Sequence, residues 1–237
     1  MMTIHKFSRT LVGAFLAGMI LSGCYRAAPV EGTVLDAQSG QPLAGIVVVA
    51  SWQARGSNLD VNSGGQLETL EAVTDGHGHY ALPGWGPRIK LFGKVSAVRA
   101  SLLFFKSGYQ AAIVTADDTQ GMGSVPLVKL KSENRSVKLQ TAEQETRPRI
   151  EKFDLFNVAL RPLLADAAAC PWEKIPAMLR EVHKERLALS DHALDSDAWP
   201  LMTVDDDLIR NADELAKQAG SACGSPKEVF RLQSPPR

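Results

Sequence analysis

The sequence predicts a β-sandwich over residues 30–131, followed by a small α-helical region over residues 150–237. Two observations lead to this fold class. In the first half, short apolar runs rich in Val and Ile alternate with turns rich in Gly, Pro and Asp, which is typical of a sandwich of short strands. In the second half, apolar residues recur three and four positions apart, which is the spacing of amphipathic helices. The polar stretch between them, residues 132–149, is expected to be a linker.

An apolar run near the N-terminus predicts an export signal over residues 1–23. Lys6 and Arg9 form a basic start, and residues 11–21 form an uncharged core too short to span a membrane. Leu21-Ser22-Gly23-Cys24 then resembles the lipobox of bacterial lipoproteins. The resemblance implies cleavage before Cys24, a diacylglycerol group on its sulfur and a further acyl chain on its new amino group. The alternative is an ordinary signal peptide with a chance cysteine.

The acylated Cys24 is expected to hold the mature chain on a bacterial envelope membrane, with residues 24–29 as a tether. Each buried CH₂ contributes about 0.8 kcal/mol, so two or three acyl chains on one residue would make dissociation negligible. Tyr25 stands where an Asp favours retention in the inner membrane of enteric-type bacteria. We therefore expect the outer membrane, with the protein facing the periplasm.

Charge and cysteine content narrow the function classes. Basic and acidic residues balance at 26 each, which gives no electrostatic case for nucleic-acid binding. Cys170 and Cys223 are the two cysteines that remain beside Cys24, and an exported chain permits disulfides. A structural disulfide is expected between them. Two separate thiols or a redox pair are the alternatives, although no C-x-x-C motif is present.

The first half is predicted to contain a series of short strands. The predicted strands span residues 30–34, 46–50, 80–82, 95–105, 110–114 and 125–130. The apolar, β-branched run at 46–50 favours a strand that is buried on both faces. Residues 52–70 and 83–94 are polar and are expected to be inserted loops, which on a rigid sandwich often bind ligands.

A set of turn and core motifs in this half resembles the carboxypeptidase regulatory-like domain. The pattern is G-x-V-x-D, G-x-P-L-x-G-x-x-V, T-D-x-x-G-x-Y and K-x-G-Y. The matching residues are Gly32, Val34, Asp36, Gly40, Pro42, Leu43, Gly45, Val48, Thr74, Asp75, Gly78, Tyr80, Lys106, Gly108 and Tyr109. The resemblance implies a transthyretin-like, seven-stranded β-sandwich of Greek-key type, and it says almost nothing about function.

Enzymes that share the transthyretin-like fold do not match this sequence. Hydroxyisourate hydrolases end in Y-R-G-S, which is absent here. Intradiol dioxygenases bind iron through two Tyr and two His, whereas the predicted sandwich has only Tyr80 and Tyr109, which belong to the turn motifs. We therefore expect no cofactor and no enzymatic activity, because a fold alone does not imply a function.

The second half predicts three helical stretches. Phe153, Phe156 and Leu160 have helical spacing that Pro162 would interrupt, and Pro171 suits the first turn of a new helix. One apolar stripe is expected on that new helix, formed by Ile175, Met178, Leu179, Val182 and Leu187. Further on, Thr203 and Asp206 resemble a capping box, and Gly220 is expected to end the last helix. These helices are expected to pack on the sandwich.

Two groups of residues are weak candidates for metal binding. His77 and His79 form H-x-H, which can bind zinc with a third ligand, although turn residues are the simpler interpretation. Residues 60–71 place Asp60 and Glu71 at the first and last positions of an EF-hand-like calcium loop. Because position 5 is Gly64 and no helices flank the segment, a polar surface loop is preferred.

Charged residues of the predicted helices are further candidates for cation binding or catalysis. Residues 205–207 are three consecutive Asp residues that could bind a cation, but acidic residues in the first turn of a helix also suit its dipole. Glu181 and Glu185 lie one turn apart with His183 on another face, and a solvated helix face is preferred to a catalytic set.

The function expected from these features is a non-enzymatic, lipid-anchored binding or assembly module for a protein partner or a glycan. Trp52, Trp85 and Tyr25 could stack on a glycan, although such residues are more often part of a core. A metal-dependent hydrolase that uses His77 and His79 is one alternative. An inhibitor or immunity-type lipoprotein, acting through its helices, is another.

Overall fold

A computed structural model describes residues 24–56, 65–89, 95–119, 127–128, 136–142, 146–193, 203–220 and 223–231. The described chain combines three β-sheets with a group of C-terminal helices. The predicted signal peptide, residues 1–23, lies outside these ranges, and so does Asp60 of the calcium-loop hypothesis.

Ten strands are present in the described residues, three more than the family resemblance implies. They are β1 (Cys24–Ala27), β2 (Val30–Asp36), β3 (Val47–Gly56), β4 (Gly65–Val73), β5 (His79–Leu82), β6 (Trp85–Ile89), β7 (Val95–Phe105), β8 (Ala112–Thr119), β9 (Leu127–Val128) and β10 (Ser136–Leu139). The four-stranded sheet has the order β4-β3-β7-β8 and is antiparallel. Two three-stranded sheets have the orders β10-β2-β5 and β6-β1-β9.

Strand β3 is buried on both faces, as the run at residues 46–50 predicts. Val48 and Ala50 point into a core shared with the two three-stranded sheets. Val47 and Val49 point to the opposite side, into a core shared with the helices. Successive side chains of a strand alternate between faces, so a strand covered on both sides needs apolar residues at every position. The prediction that the helices pack on the sheet is confirmed by this second core.

The turn between β4 and β5 is organised by Asp75 and Gly78. Asp75 Oδ1 accepts hydrogen bonds of 2.9 Å from the backbone N–H groups of His77 and His79. Gly78 has a φ of +71°, and a Cβ at this position would lie 2.5 Å from the carbonyl oxygen of Val34. Only glycine combines that backbone conformation with so close an approach. Both histidines are exposed, His77 in the turn and His79 as the first residue of β5.

The two predicted loop insertions are wrong for residues 52–56, 65–70 and 85–89, whereas Pro83 and Gly84 do lie outside the strands. Residues 52–56 and 65–70 continue β3 and β4, which pair antiparallel along their length. Residues 85–89 form β6, which pairs with β1. Strand pairing satisfies the backbone of these polar residues, so a polar composition does not prevent them from joining a sheet.

Residues of the predicted tether and linker also belong to sheets. Strand β1 begins at Cys24 itself, and its Tyr25 and Ala27 are buried. Strand β10 lies within the predicted linker and pairs in parallel with β2, burying Val137 and Leu139. The pairing partners are far away in the sequence, so local composition did not indicate these strands.

The helices follow β10. They are α1 (Thr146–Leu160), α2 (Pro171–Lys174), α3 (Pro176–Ala193), α4 (Val204–Arg210), α5 (Ala212–Ala219) and α6 (Glu228–Arg231). The chain changes to a 3₁₀ turn over Arg161–Leu164, where Pro162 interrupts α1 as predicted. Pro171 begins α2, also as predicted, but Pro176 starts a separate helix. Within the described residues, no helix has both the length and the apolar character needed to cross a membrane.

Three details of the helical prediction need correction. Leu187 is 46% exposed, and Leu189 is the buried residue of that stripe. Thr203 is the N-cap residue of α4, but the predicted capping box does not form, because its hydroxyl makes no capping hydrogen bond. The last predicted helix is divided at Asn211, and Gly220 follows its end as expected.

The predicted disulfide between Cys170 and Cys223 is confirmed. Their Cα atoms lie 5.7 Å apart, and the bridge joins the residue before α2 to the segment after α5. Two hydrogen bonds reinforce this junction: Trp172 Nε1 donates to the carbonyl oxygen of Gly224 at 2.9 Å, and the Gly224 N–H donates to Glu173 at 2.6 Å. The disulfide therefore holds the segment after α5 against the start of α2.

Candidate functional site

Glu185 lies at the junction between the sheets and the helices. It occupies the buried face of α3, three residues after Val182 and four before Leu189, and is only 2% exposed. Arg149 of α1 donates to both of its carboxylate oxygens, at 2.7 and 2.9 Å. Ser107 Oγ and the N–H of Gly108 donate to Oε2 at 2.9 and 3.0 Å. One carboxylate thus connects α3, α1 and the turn after β7.

The contacts of Glu185 favour the ionised form of its carboxylate. Burial alone would raise the pKa of Glu185, but the four hydrogen bonds that it accepts outweigh burial and lower the pKa. The same contacts raise the pKa of Arg149, mainly through its hydrogen bonds to Glu185. A bidentate guanidinium–carboxylate pair is a strong and geometrically specific contact. The pair holds α1 against α3. Because its pKa is lowered, Glu185 has no proton to donate near neutral pH.

Glu181 strengthens the same junction one turn earlier on α3. Its Oε2 accepts the N–H of Ser107 at 3.0 Å, and Lys184 donates to its Oε1. The hypothesis that Glu181 and Glu185 form a solvated helix face is therefore wrong. A sequence signal was present, because Glu185 interrupts an otherwise apolar stripe at a buried position.

Glu71 caps the N-terminus of α3. Its carboxylate accepts the backbone N–H groups of Ala177 and Met178 at 3.0 and 2.7 Å. Burial raises the pKa of Glu71, and these two hydrogen bonds only partly offset it. Glu71 lies within β4, so the hypothesis of a polar surface loop is wrong for residues 65–71. Its contacts with a helix terminus differ from those expected of a calcium ligand.

A second charged cluster joins α3 to α4. The fully buried Asp205 accepts hydrogen bonds at Oδ2 from His183 Nδ1 at 2.8 Å and from Arg186 Nε at 2.7 Å. The ring of Phe230 in α6 lies 5.2 Å from the ring of His183. In the described part of the chain, Asp205 Oδ1 and Thr203 Oγ1 are buried without a hydrogen-bond partner.

Residues 205–207 lie in the first turn of α4, as the helix-dipole interpretation predicts, but Asp205 and Asp206 also have separate partners. Asp205 is an internal partner of two side chains on α3, whereas Asp206 forms an ion pair with Arg210 at 2.9 Å. A histidine oriented by a carboxylate occurs in general-base catalysis, but such a site also needs a nucleophile within hydrogen-bond reach. No such hydroxyl or thiol contacts His183 in the hydrogen bonds of the described residues.

The remaining metal candidates do not converge on one another. His77 and His79 are exposed at the β4–β5 turn, and Glu71 lies under α3. Across the ranges that the structure describes, no three His, Cys, Asp or Glu side chains are grouped closely enough to hold a metal ion.

The aromatic residues proposed for glycan stacking lie largely in the core. Trp52 is 1% exposed and Tyr25 is 7% exposed. Trp85 packs edge-on against Trp52 with 5.5 Å between ring centroids. Burial also raises the pKa of Tyr25. A stacking platform needs exposed ring faces, so the hypothesis that Trp52 and Tyr25 bind a glycan is wrong.

A groove, here called the helical groove, opens between the 3₁₀ turn Arg161–Leu164 and the helices α4 and α5. Its volume is about 350 Å³. Its apolar floor is formed by Leu164, Val204, Leu208 and Leu215. This volume is sufficient for a ligand, since binding pockets usually have volumes of about 300–1,000 Å³. The cavity beside Arg149 and Glu185 has room for about one water molecule.

No protein-family model matches this chain, and no curated protein matches it. Similar solved structures include a 3-chlorocatechol 1,2-dioxygenase from Rhodococcus opacus 1CP, 20% identical over 48% of this chain and 58% of that chain, with a TM-score of 0.29. An (S)-allantoin synthase is 17% identical over 46% of this chain and 40% of that chain, with a TM-score of 0.22. A 9R-lipoxygenase from Cyanothece PCC8801 is 13% identical over 70% of this chain and 28% of that chain, with a TM-score of 0.23. Scores this low carry no argument about fold or function.

Proposed function

We propose that this chain is a lipid-anchored protein of the bacterial envelope that acts as a non-enzymatic binding or assembly module. The observation that carries the proposal is Leu21-Ser22-Gly23-Cys24, which follows a basic start and an apolar core of suitable length. Acylation of Cys24 would anchor the chain, with the outer membrane facing the periplasm as the proposed location.

We further propose that the β-sheets form a transthyretin-like sandwich. The supporting observation is that the two three-stranded sheets and one face of the four-stranded sheet share a single apolar core. Several family-motif residues also have turn or core roles. Gly40, Gly45 and Gly78 have positive φ angles, and the buried Tyr80 packs edge-on against Phe104.

The position of Cys24 adds a geometric consequence to this proposal. Because β1 begins at Cys24, which pairs with Ile89 of β6, there is no free tether between the anchor and the folded body. An acylated Cys24 would hold the sheet β6-β1-β9 directly against the membrane surface. The partner of such a module would then have to lie at the membrane surface as well.

A protein partner is favoured over a glycan. The buried positions of Trp52 and Tyr25 leave them unsuited to stacking on a sugar. The buried Glu185 and Asp205 and the partly buried Glu71 all bind other elements of this chain, which supports a rigid display module. Such internal use of charged groups contrasts with an active site, where they are directed at a substrate.

The proposal can be tested in cells that express the full chain and are supplied with an alkyne analogue of palmitate. We expect the wild-type protein to carry the label and to fractionate with the outer membrane. Cys24→Ala should lose both properties, whereas the matched double variant Cys170→Ser/Cys223→Ser should keep the label. An unlabelled wild-type protein would rule out the lipoprotein assignment. Crosslinking in the labelled cells should then recover one reproducible protein, absent from the Cys24→Ala cells.

A further inference from the structure

The floor of the helical groove is apolar and comes from separate parts of the helical region. Val204 and Leu208 of α4 are almost fully buried, and Leu164 and Leu215 are partly buried beside them. With a volume of about 350 Å³, the groove can receive one or two large side chains. An apolar cavity of this size that stays open to solvent is a recognised mark of a binding site.

The rim of the groove carries one carboxylate, that of Glu214, for which the described residues provide no ion pair. Asp207 is paired with Arg161 at 3.6 Å and with Arg210 at 3.1 Å. Glu214 lines the same groove, but its only hydrogen bond in the described part of the chain comes from Gln218 Nε2 at 3.0 Å. A ligand with a positive charge next to its apolar group would therefore complement this rim.

Two exposed apolar residues lie on the outer face of α1, the helix that leads into the 3₁₀ turn at the edge of the groove. Leu155 is 69% exposed and Val158 is 62% exposed, the two highest values among the large apolar residues of the described chain. They lie three residues apart and are therefore neighbours on the surface of α1, and Arg161 at the edge of the groove follows Val158 three residues later, in the 3₁₀ turn. Exposed apolar residues clustered beside a groove indicate an interaction surface.

We propose that the helical groove and the outer face of α1 together bind an amphipathic helix of a partner protein. The partner would insert apolar side chains between Leu164, Leu208 and Leu215 and place a Lys or Arg beside Glu214. A helix in a groove is a common recognition mode, in which anchors three and four residues apart enter the groove. A small ligand would fill the groove without covering Leu155 and Val158. This inference names the partner class for the assembly role proposed above, on which it rests.

The test uses the oxidised mature chain, residues 24–237, with Cys24→Ser, and a phage library of random 16-residue peptides. We expect the selected peptides to combine large apolar residues at helical spacing with Lys or Arg. Glu214→Lys should weaken their binding about tenfold, because it replaces attraction by repulsion. Asp213→Lys is the control, since Asp213 is on the same helix but outside the groove. It breaks an exposed ion pair with Lys227, 3.2 Å long, which should cost little, and it should leave the affinity within about twofold.

The apolar contacts are tested separately. Leu215→Asp should abolish binding of the selected peptides, and Leu155→Ser/Val158→Ser should weaken it, whereas Leu187→Asp on α3 should have no effect. Thermal unfolding of each variant shows that it is folded. The inference is overturned if no peptide is enriched, if the enriched peptides are acidic, or if they bind Glu214→Lys and Leu215→Asp as tightly as wild type. Because this protein carries no lipid, these results do not depend on whether the anchoring in cells succeeds or fails.

Discussion

The β-rich half and the sheet–helix junction use their acidic residues over different sequence distances. Asp36 and Asp75 bind backbone N–H groups two to four residues further along the chain. Glu71 and Glu185 bind groups 107 and 78 residues away. The first kind of contact makes a turn, whereas the second kind joins one layer of the molecule to another. Local contacts leave a motif in the sequence, and distant ones do not.

This comparison predicts that loss of a long-range carboxylate is far more damaging than loss of a surface one. Glu185→Ala would leave the guanidinium of Arg149 and the N–H of Gly108 without a partner at a buried site. We expect the free energy of unfolding to fall by about 3–5 kcal/mol. Urea unfolding of the mature chain measures it. Asp206→Ala, which removes only an exposed ion pair, should cost less than about 1 kcal/mol.

The double variant Arg149→Met/Glu185→Leu distinguishes two contributions to the free energy of unfolding: the cost of leaving one charge unpaired, and the net stabilisation by the intact ion pair. Apolar replacement of both partners is expected to recover most of the stability lost in Glu185→Ala. Equal losses in Glu185→Ala and Asp206→Ala would contradict the assignment of Glu185 as the buried connection between the two halves.

The disulfide is the next largest long-range connection. Cys170 and Cys223 are separated by 53 residues, and removal of a bridge of this kind typically costs about 2–4 kcal/mol. In the variant Cys170→Ser/Cys223→Ser we expect hydrogen exchange to accelerate in α4 and α5 more than in β3. Equal acceleration in the helices and in β3 would show that the helical region and the sheets unfold as a single unit.

Glu71 provides a smaller long-range contact. Glu71→Ala removes the cap from α3, and we expect a loss of about 1–2 kcal/mol, with faster exchange of the Ala177 and Met178 amides. Glu71→Gln keeps an acceptor oxygen and should lose less. If the exchange of these two amides is unchanged in Glu71→Ala, the cap contributes nothing to the helix.

The features that the sequence predicts well are those with local causes. The buried run at residues 46–50, the turn at Asp75 and Gly78, and the interruption at Pro162 all depend on neighbouring residues. The disulfide was also predictable, because the sequence has three cysteines and the predicted acylation of Cys24 leaves one pair in a chain predicted to be exported.

The features that escaped prediction depend on partners far away in the sequence. Strand β1 needs β6 and strand β10 needs β2, so neither was visible in its own composition. The roles of Glu71 and Glu185 depend on the docking of α3 against the sheets. Of these two residues, only Glu185 was indicated by the sequence, because it is an acidic residue within the apolar stripe of its helix. The helical groove arises where α4 and α5 meet a 3₁₀ turn, which no single segment encodes.

The pH dependence of stability offers the finest distinction between the two long-range carboxylates. Burial raises the pKa of Glu71 above its ordinary value of 4.5, so its contribution to stability is complete at low pH and is lost as pH rises through the raised pKa. Burial opposes ionisation of Glu185, but hydrogen bonding outweighs burial and lowers its pKa below the ordinary value of 4.5. The contribution of Glu185 to stability is therefore complete above pH 4.5 and is lost as pH falls through the lowered pKa. The free energies of unfolding of wild type, Glu71→Gln and Glu185→Gln should be compared between about pH 3 and pH 7. With increasing pH, the stability of wild type should fall relative to Glu71→Gln and rise relative to Glu185→Gln. Two slopes of the same sign would mean that one of the two carboxylates is not in the environment described here.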